Sequence, residues 1–247
     1  MEETGKNPIQ VAERLFQVIE RLAENGPMGI MDLSAELGFH KSTTHRLVTS
    51  LQYMGYIRQD EESLKYALSL KFLEIGSKIL EQTNMASLIH PSLKKLSEQT
   101  GETVHLVRRE GTEAVYIDKV ESTVSSIRMV SRVGSRIPLY CSGVGKALLA
   151  ELPDPEIEDI WNSSEITSLT PYTVTSLSDL MDRIRGVREA GYAMDDEENE
   201  EGVRCIAVSI PDYHKEPVYA LSISAPVSRM TDARIAELST DVLTFKK

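Results

Sequence analysis

Two segments near the end of the chain alternate strictly between bulky and small side chains, and this alternation limits the possible folds strongly. The segments are VRCIAVSI at 203–210 and VYALSISA at 218–225. Successive residues of a strand point to opposite faces of its sheet. Both segments are therefore predicted to be strands with one bulky apolar face and one small, weakly polar face, the latter carrying Cys205, Ala207, Ser222 and Ser224.

The two faces predict different surroundings. The bulky face suits packing against helices, whereas the small face leaves space above the sheet, and its hydroxyl groups can orient a ligand. The alternative is a solvent-exposed face, but such faces usually carry Lys, Glu and Thr. We therefore predict a pocket. YCSGVGKALL could form one wall, since Gly143 and Gly145 allow close approach of a backbone and the N–H groups that start a helix favour an anion. Taken alone, these glycines could simply cap a helix.

The remainder of this region mixes helices and strands. Helices are predicted up to Gln99, at SGVGKALLAEL, at SLSDLMDRIRGVREAG with Ser176 or Ser178 as the N-cap, and from about Thr231. Further strands are predicted at TVHLVRR, AVYIDKV and SIRMVSR. Because helices and strands do not alternate regularly, the predicted class is α+β with an antiparallel sheet.

The first third of the chain has helical periodicity instead. Apolar residues recur at helical spacing from Ile9 to Leu22 and from Ile30 to Leu37, with Gly38 as a C-terminal cap. In HKSTTHRLVTSLQYMGY, residues 40–56, apolar side chains occupy one side of a third helix. YIRQDEESLKYAL then predicts two short strands around a polar turn. Three helices followed by a hairpin describe a winged helix-turn-helix.

The third helix lies in a segment without carboxylates. The chain carries a formal net charge of −11, yet no Asp or Glu occurs from Leu37 to Gln59. The outer face of the helix includes Ser42, His45, Arg46 and Thr49, whose groups bond phosphate oxygens and base edges, and Lys41, Ser42 and Thr43 lie at its start. A solvated helix of an ordinary small domain is the alternative. The hairpin and the two preceding helices favour binding to double-stranded DNA.

A helix predicted to reach about Gln82 joins the two regions. Leu68, Phe72, Ile75 and Ile79 form a heptad-like stripe on it. The stripe either pairs with a second copy in a dimer or packs on its own domain, and the pattern does not decide between these. The predicted organisation is a DNA-binding domain at 1–68, a linker helix at 69–83 and an effector-binding domain at 84–247.

The sequence gives little support for a nucleotide-binding loop, a catalytic serine motif, a metal site, secretion or a membrane segment. The glycine spacing excludes a Walker loop, G-x-S-x-G is absent, and the five histidines lack metal-ligand spacing, so neither a metal nor a cofactor is expected. DDEENEEG, residues 195–202, is interpreted as a solvated loop. Two cysteines, no signal peptide and no apolar run of about 20 residues predict a cytoplasmic protein without a membrane segment.

Four segments together resemble the IclR family of bacterial transcriptional regulators over nearly the whole chain. They are KSTTHRL, IPLYCSGVGKALLA, GYAMDDEENEEGVRCIAV and VYALSISAPVSRMT. The resemblance implies a winged helix-turn-helix joined by a helix to a GAF-like effector domain, assembly into dimers or tetramers, and a response to small organic acids. IRMVSRVGSRIPLY is similar to members that regulate sugar-acid use, such as ketodeoxygluconate regulators. VLTFKK, at the end, departs from the family by stopping short of the usual final helix.

The resemblance also implies site residues. The recognition helix would carry Lys41, Ser42, Thr43, His45 and Arg46, and the wing Arg58 and Tyr66. The effector pocket would comprise Met129, Ile137, Gly143, Val144, Asp195, Cys205, Ala207, Ser222 and Ser224. Alternation in the last two strands selects four of these independently. Because its loop is interpreted as solvated, Asp195 is predicted to stay charged and to accept a hydrogen bond from an effector hydroxyl. The alternative is that Asp195 is protonated in the complex, with its pKa raised by burial and by the charge of the ligand.

Three functions remain in competition. The leading one is a DNA-binding transcriptional regulator, acting as a repressor, whose operator affinity is controlled by a small keto or hydroxy carboxylate. The second is a hydrolase-like enzyme with Cys205 as nucleophile, although no histidine lies beside it in the strand pattern. The third is a regulator whose C-terminal domain serves assembly only. The leading hypothesis predicts a protein that is not an enzyme.

Overall fold

The computed structural model describes residues 7–82, 84–122, 129–212, 214 and 216–246. The chain divides into two compact units, residues 1–82 and 83–247. None of the helices in the described ranges combines the length and apolarity needed to cross a membrane.

The first unit begins with three helices, and a short hairpin and a fourth helix follow. The helices are α1 (Gln10–Asn25), α2 (Ile30–Leu37) and α3 (Lys41–Tyr53), the antiparallel hairpin pairs β1 (Ile57–Gln59) with β2 (Tyr66–Leu68), and α4 covers Lys71–Gln82. Met28 forms an isolated β-bridge with Tyr66, on the edge of β2 that does not pair with β1. The predicted winged helix-turn-helix is confirmed.

The turn between α2 and α3 depends on a left-handed residue. Gly38 caps α2 with φ 65° and ψ 24°, and its N–H donates to the carbonyl oxygens of Ser34 and Ala35. Glycine adopts this conformation without a Cβ penalty. The turn lets α3 lay one side on the core of the unit, which includes Val18, Leu22, Leu33, Leu47, Val48, Leu51 and Ile57.

Helix α4 does not bury its apolar stripe evenly. The ring of Phe72 packs against Tyr56 of the same unit, with ring centroids 5.2 Å apart. Ile75 and Ile79 are exposed at 40% and 59%. Phe72 thus packs on its own domain, one of the two alternatives for the stripe, whereas Ile75 and Ile79 are exposed to solvent to the extents given.

The second unit is built on a six-stranded antiparallel sheet in the order β5-β4-β3-β8-β7-β6. The strands are β3 (Thr103–Glu110), β4 (Glu113–Val120), β5 (Arg136–Pro138), β6 (Ala193–Asp196), β7 (Val203–Ile210) and β8 (Tyr219–Pro226). The helices are α5 (Asn84–Thr100), α6 (Gly143–Leu149), α7 (Asp154–Ser163), α8 (Leu177–Ala190) and α9 (Asp232–Leu243), with a 3-10 turn at Thr244–Lys246. The predicted α+β class is confirmed.

Each face of the sheet has its own apolar core. The bulky residues of β7 and β8, such as Ile206 and Ile223, pack with Leu93 of α5 and Leu238 of α9. On the opposite face, Ala207 and Ala220 join the core formed by α6, α7 and α8. The predicted packing of the bulky face on helices is therefore correct. Part of the small face is covered as well, because α6 lies on it.

One irregularity interrupts the pairing of β3 with β4. Leu106 pairs with Asp118, whereas the next residue, Val107, pairs with Tyr116. Ile117 is thus the extra residue of a β-bulge. Lys119 remains directly opposite His105, and the rings of His105 and Tyr116 are 5.1 Å apart. Tyr116 and Lys119 therefore lie on the same face as His105.

Three local expectations need correction or completion. Of the strand predicted at SIRMVSR, residues 126–132, the first three lie outside the described residues, and 129–132 forms no strand; β5 begins at Arg136. Ser176 rather than Ser178 caps α8, since its Oγ accepts the N–H of Asp179. Thr231 caps α9 by accepting the N–H of Arg234, and α9 buries Ile235, Leu238 and Val242, so a final helix is formed.

Candidate nucleic-acid interface and effector site

Helix α3 presents most of the predicted DNA contacts on one exposed face. Leu47, Val48 and Leu51 are buried. Lys41, Ser42, His45, Arg46 and Thr49 are exposed, and Thr43 is half-buried. The side chain of His40, at the N-cap, makes no capping bond to the first turn of the helix. The start of α3 therefore combines a positive helix end with Lys41, which suits a phosphate group.

The two residues predicted on the wing differ in exposure to solvent. Arg58 lies on β1 and is exposed. Tyr66 is only 7% exposed, belongs to the core of the unit and exchanges backbone hydrogen bonds with Met28. The burial of Tyr66 argues for a role in holding the hairpin and against a contact with DNA.

The sheet of the second unit brings five of the nine predicted effector residues together. Asp195 pairs with Cys205, and Cys205 with Ser224, so these three form one row across β6, β7 and β8. In the adjacent row, Ala207 pairs with Ser222. The alternation argument therefore identified neighbouring positions correctly. We call Asp195, Cys205, Ala207, Ser222 and Ser224 the floor.

The start of α6 lies directly against this floor. A Cβ on Gly143 would be 3.4 Å from the amide nitrogen of Asp195 and 3.5 Å from the Cβ of Ala207. Val144 and Ile137 are buried and join the same apolar cluster as Ala207. Met129 is buried, and its carbonyl oxygen accepts a hydrogen bond from Lys119 Nζ at 3.0 Å.

The second glycine of the α6 motif has a different role from the predicted one. A Cβ on Gly145 would lie 2.2 Å from the carbonyl oxygen and 2.3 Å from the Cα of Leu139. The Gly145 N–H donates to Ser142 Oγ, the side-chain cap of α6. Gly145 therefore allows α6 to pass the backbone of Leu139. The prediction that Gly145 admits a ligand is wrong.

The acidic run at 195–202 is not uniformly solvated, and that interpretation is wrong for two of its residues. Asp195 and Glu198 are 4% and 2% exposed. Asp195 Oδ1 accepts the N–H groups of Glu198 at 2.8 Å and Asn199 at 3.4 Å. Glu198 forms a buried ion pair with Lys146 of α6, and its Oε2 has no hydrogen-bond partner among the described residues.

Burial changes the protonation of Asp195. Loss of hydration raises the pKa of Asp195 to about 7, against the lowering effect of the Lys146 charge and the Glu198 N–H. The reason for predicting a charged Asp195, a solvated loop, is therefore removed. This carboxyl group is therefore protonated at a higher pH than an exposed aspartate.

The cysteines lack the properties of nucleophiles. Burial, followed by the charge of Asp195, raises the pKa of Cys141 to about 12, and the same causes also raise the pKa of Cys205. Ser224 Oγ contacts both Cys205 Sγ at 3.0 Å and His105 Nδ1 at 3.4 Å. Burial lowers the pKa of His105 to about 3, so this contact provides a neutral thiol and a neutral imidazole rather than a thiolate–imidazolium pair.

The sequence interpretation missed His105, Lys119, Lys146 and Glu198. Two of these carried a signal in the sequence: His105 is flanked by apolar residues in TVHLV, and Lys146 is the lone charge in GVGKALL. A polar group in an apolar segment is buried at a cost unless it finds a partner, so its partners mark a specific local structure. No group of three or more His, Cys, Asp or Glu suited to a metal occurs in the described part of the chain.

Known proteins match both units. The family model for the bacterial transcriptional regulator IclR C-terminal domain matches residues 77–245, and the IclR helix-turn-helix domain matches residues 11–61. The acetate operon repressor of Salmonella typhimurium is 37% identical over 242 residues, covering 97% of this chain and 88% of the repressor. The regulator KdgR of Escherichia coli is also 37% identical, over 234 residues, 94% of this chain and 89% of KdgR.

A solved structure agrees with these matches. The crystal structure of the Thermotoga maritima IclR has a TM-score of 0.80 and 33% sequence identity, covering 96% of this chain and 95% of that one. Equal identity to the acetate operon repressor and to KdgR means that identity alone does not separate these relatives. The chain belongs to the IclR family of bacterial transcriptional regulators, and it is a DNA-binding transcriptional regulator.

Proposed function

We propose that this regulator represses transcription by binding an operator as a dimer, and that a small carboxylate with keto or hydroxy groups controls its affinity for that operator. Sugar acids belong to this ligand class. Two of the relatives above are named an acetate operon repressor and KdgR. The observation that carries the DNA-binding part is the exposed face of α3, which has hydroxyl, imidazole and guanidinium groups and no carboxylate.

The proposed contacts with DNA are Lys41, Ser42, Thr43, His45, Arg46 and Thr49 of α3, together with Arg58 of the hairpin. Tyr66 is left out because it is buried. An overall acidic chain holds DNA poorly without specific contacts, because phosphates repel its net charge. Two copies bound to a roughly palindromic site would double the few contacts that one helix offers. The exposed Ile75 of α4 supports pairing with a second copy; a tetramer is the larger alternative.

We expect the substitution Arg46→Ala to weaken binding to the operator about 10- to 100-fold, since a guanidinium contact to a base or phosphate contributes about 1–3 kcal/mol. Affinity should be measured by fluorescence anisotropy across a salt series. If Arg46 contacts a phosphate, the salt slope should also fall by about one. Arg185→Ala, on the exposed surface of α8, removes the same charge and should leave affinity unchanged. Equal affinity of the Arg46 variant and the native protein would refute the assignment of α3.

The effector part of the proposal is supported by the arrangement of the floor. Buried hydroxyl groups of Ser222 and Ser224, the N–H groups of Gly143 and Val144, and the carboxyl of Asp195 converge on one side of the sheet. Two N–H groups at a helix start suit a carboxylate, and the hydroxyls suit its other oxygens. Met129 and Ile137 are proposed to add apolar contacts. The close packing of Gly143 on Ala207 favours, in part, the alternative of a domain that serves assembly only.

Binding of an anionic effector is expected to take up a proton. A carboxylate near Asp195 raises its pKa above about 7, because two unit charges about 4 Å apart repel by roughly 4 kcal/mol at an effective dielectric of 20. A thermal-shift screen of small carboxylates should first identify a ligand, which stabilises the protein by about 2.7 kcal/mol at 100 times its dissociation constant. Calorimetry at pH 8 in buffers of different ionisation enthalpy should then show an uptake approaching one proton.

The matched variant is Asp195→Asn, whose amide oxygen can still accept the two N–H groups that Asp195 accepts. It should bind the effector without proton uptake and with little dependence on pH between 6 and 9. Uptake that persists in this variant would assign the proton to another group. If no carboxylate stabilises the native protein, the effector proposal fails and the assembly-only alternative takes its place.

A further inference from the structure

His105 borders the floor on the neighbouring strand β3, although neither the strand alternation nor the family resemblance placed it there. It pairs with Ser222 across β3 and β8, so its side chain lies on the same face as the floor serines. The side chain is buried, and the ring of Tyr116 packs against it at 5.1 Å. Burial and the nearby positive charge of Lys119, which disfavours a second positive charge, keep the imidazole neutral. One ring nitrogen therefore carries a hydrogen and the other carries a lone pair.

Both ring nitrogens of His105 have partners. Nε2 lies 2.8 Å from Ser131 Oγ, whereas Nδ1 lies 3.4 Å from both Ser222 Oγ and Ser224 Oγ. Lys119 Nζ donates to the carbonyl oxygens of Ser131 at 2.7 Å and Met129 at 3.0 Å. His105 and Lys119 thus join the segment that contains Met129 to the two serines of the floor.

Two features distinguish the tautomers. The equal distances from Nδ1 to two hydroxyl oxygens fit one N–H group shared between two acceptors, a three-centre hydrogen bond. The ammonium group of Lys119 is bonded to Ser131, the residue that contacts Nε2. A positive charge on that side favours the lone pair at Nε2, and the hydroxyl of Ser131 can then donate to it at the observed 2.8 Å.

We propose that His105 is a positioning residue: its Nδ1–H donates to Ser222 and Ser224, and the hydroxyl hydrogen of Ser222 is thereby directed at the effector. This inference rests on the proposed effector site. Ser224 Oγ has a second acceptor in Cys205 Sγ at 3.0 Å, so its hydrogen is used within the floor. Ser222 then offers the effector a donor, which suits a carboxylate or keto oxygen. With the opposite tautomer, Ser222 would donate to His105 and offer only an acceptor.

The tautomer can be read without any effector. The native protein should be labelled with ¹⁵N-histidine, and two-bond ¹H–¹⁵N spectra recorded from pH 5 to 8. Among the five histidines, one should keep the shifts of a neutral Nδ1–H imidazole over the whole range, and His105→Asn should remove that signal. If the signal that His105→Asn removes is that of a neutral Nε2–H imidazole, or if it titrates near pH 6.5, the proposal is overturned.

A double-mutant cycle tests the effect on ligands. The probes are 2-keto acids of two to six carbons, each paired with the 2-hydroxy acid of the same skeleton. For the tightest keto acid, His105→Leu should weaken binding about tenfold in the native background and less than twofold in Ser222→Ala, because the lost orientation matters only when the hydroxyl is present. His105→Asn, which keeps an N–H near the position of Nδ1, should stay within about threefold of the native affinity.

The outcomes separate this inference from the proposed function. Equal losses from His105→Leu in both backgrounds would mean that His105 supports the fold without orienting Ser222, which would overturn the inference and leave the effector site intact. If no keto or hydroxy acid binds the native protein, the proposed function fails for these acids. The labelled spectra still decide the tautomer in that case.

Discussion

The substitution Gly145→Ala is expected to destabilise the second unit by about 3 kcal/mol, the upper end of the usual cost of overpacking, because the added Cβ meets main-chain atoms. The added Cβ would lie 2.2–2.5 Å from the carbonyl oxygen, Cα and carbonyl carbon of Leu139. These are main-chain atoms, so no side-chain rotation relieves the clash. Either α6 or the chain at Leu139 must shift, and both border the apolar core.

Urea unfolding followed by the fluorescence of Trp161, the only tryptophan, should report this loss, because Trp161 lies on α7 of the same unit. The control is Gly186→Ala in the middle of α8, where a Cβ meets nothing within 4 Å. That substitution should stabilise the protein by about 0.5–1 kcal/mol, because alanine loses less backbone entropy than glycine on forming a helix. A midpoint for Gly145→Ala equal to that of the native protein would contradict the observed packing.

The substitution Lys146→Met is expected to cost about 3–5 kcal/mol at neutral pH, because it leaves the buried carboxylate of Glu198 without its cation. Glu198 Oε2 already lacks a partner among the described residues, and both side chains of the pair are almost fully buried.

Two further variants make this measurement specific. Lys146→Met combined with Glu198→Met replaces both charges by apolar groups and should recover most of the lost stability, since a buried ion pair rarely exceeds its apolar equivalent. Lys94→Met breaks an exposed pair with Glu98 in the same unit, at 4.0 Å, and should cost less than about 0.5 kcal/mol. A loss for Lys146→Met as small as that for Lys94→Met would show that Glu198 is not confined in a dry environment.

The sequence predicted the elements whose signals are local. Helical periodicity located α1, α2 and α3, Gly38 marked the end of α2, and Thr231 marked the start of α9. Strict alternation in β7 and β8 identified Cys205, Ala207, Ser222 and Ser224 as neighbours on one face. In each case the pattern repeats with the period of the element itself, so a single segment contains the information.

What the sequence did not predict depends on contacts between distant segments. The sequence interpretation treats the acidic run at 195–202 as one solvated loop, yet Asp195 and Glu198 within it are buried. Glu198 can be buried because it pairs with Lys146, 52 positions earlier in the chain. His105 looks like any polar residue of a strand until Ser222, 117 positions later, is placed beside it. The family resemblance implies a wing position for Tyr66, whereas the structure buries its side chain in the core and bridges its backbone to Met28, 38 positions earlier. Long-range partners of this kind leave no local period.

The bulge in β4 reverses the alternation of side chains between the two faces of that strand. In a regular strand, residues separated by an odd number of positions point to opposite faces. Tyr116 and Lys119 are three positions apart, yet both flank His105, because Ile117 is the extra residue between them. Even-numbered positions before Ile117 and odd-numbered positions after it therefore share the face of His105. A relative that lacks this one residue would keep Tyr116 and Lys119 on the face of His105 in a regular ladder, whereas a relative that pairs an equally long β4 without the bulge would turn one of the two away from His105.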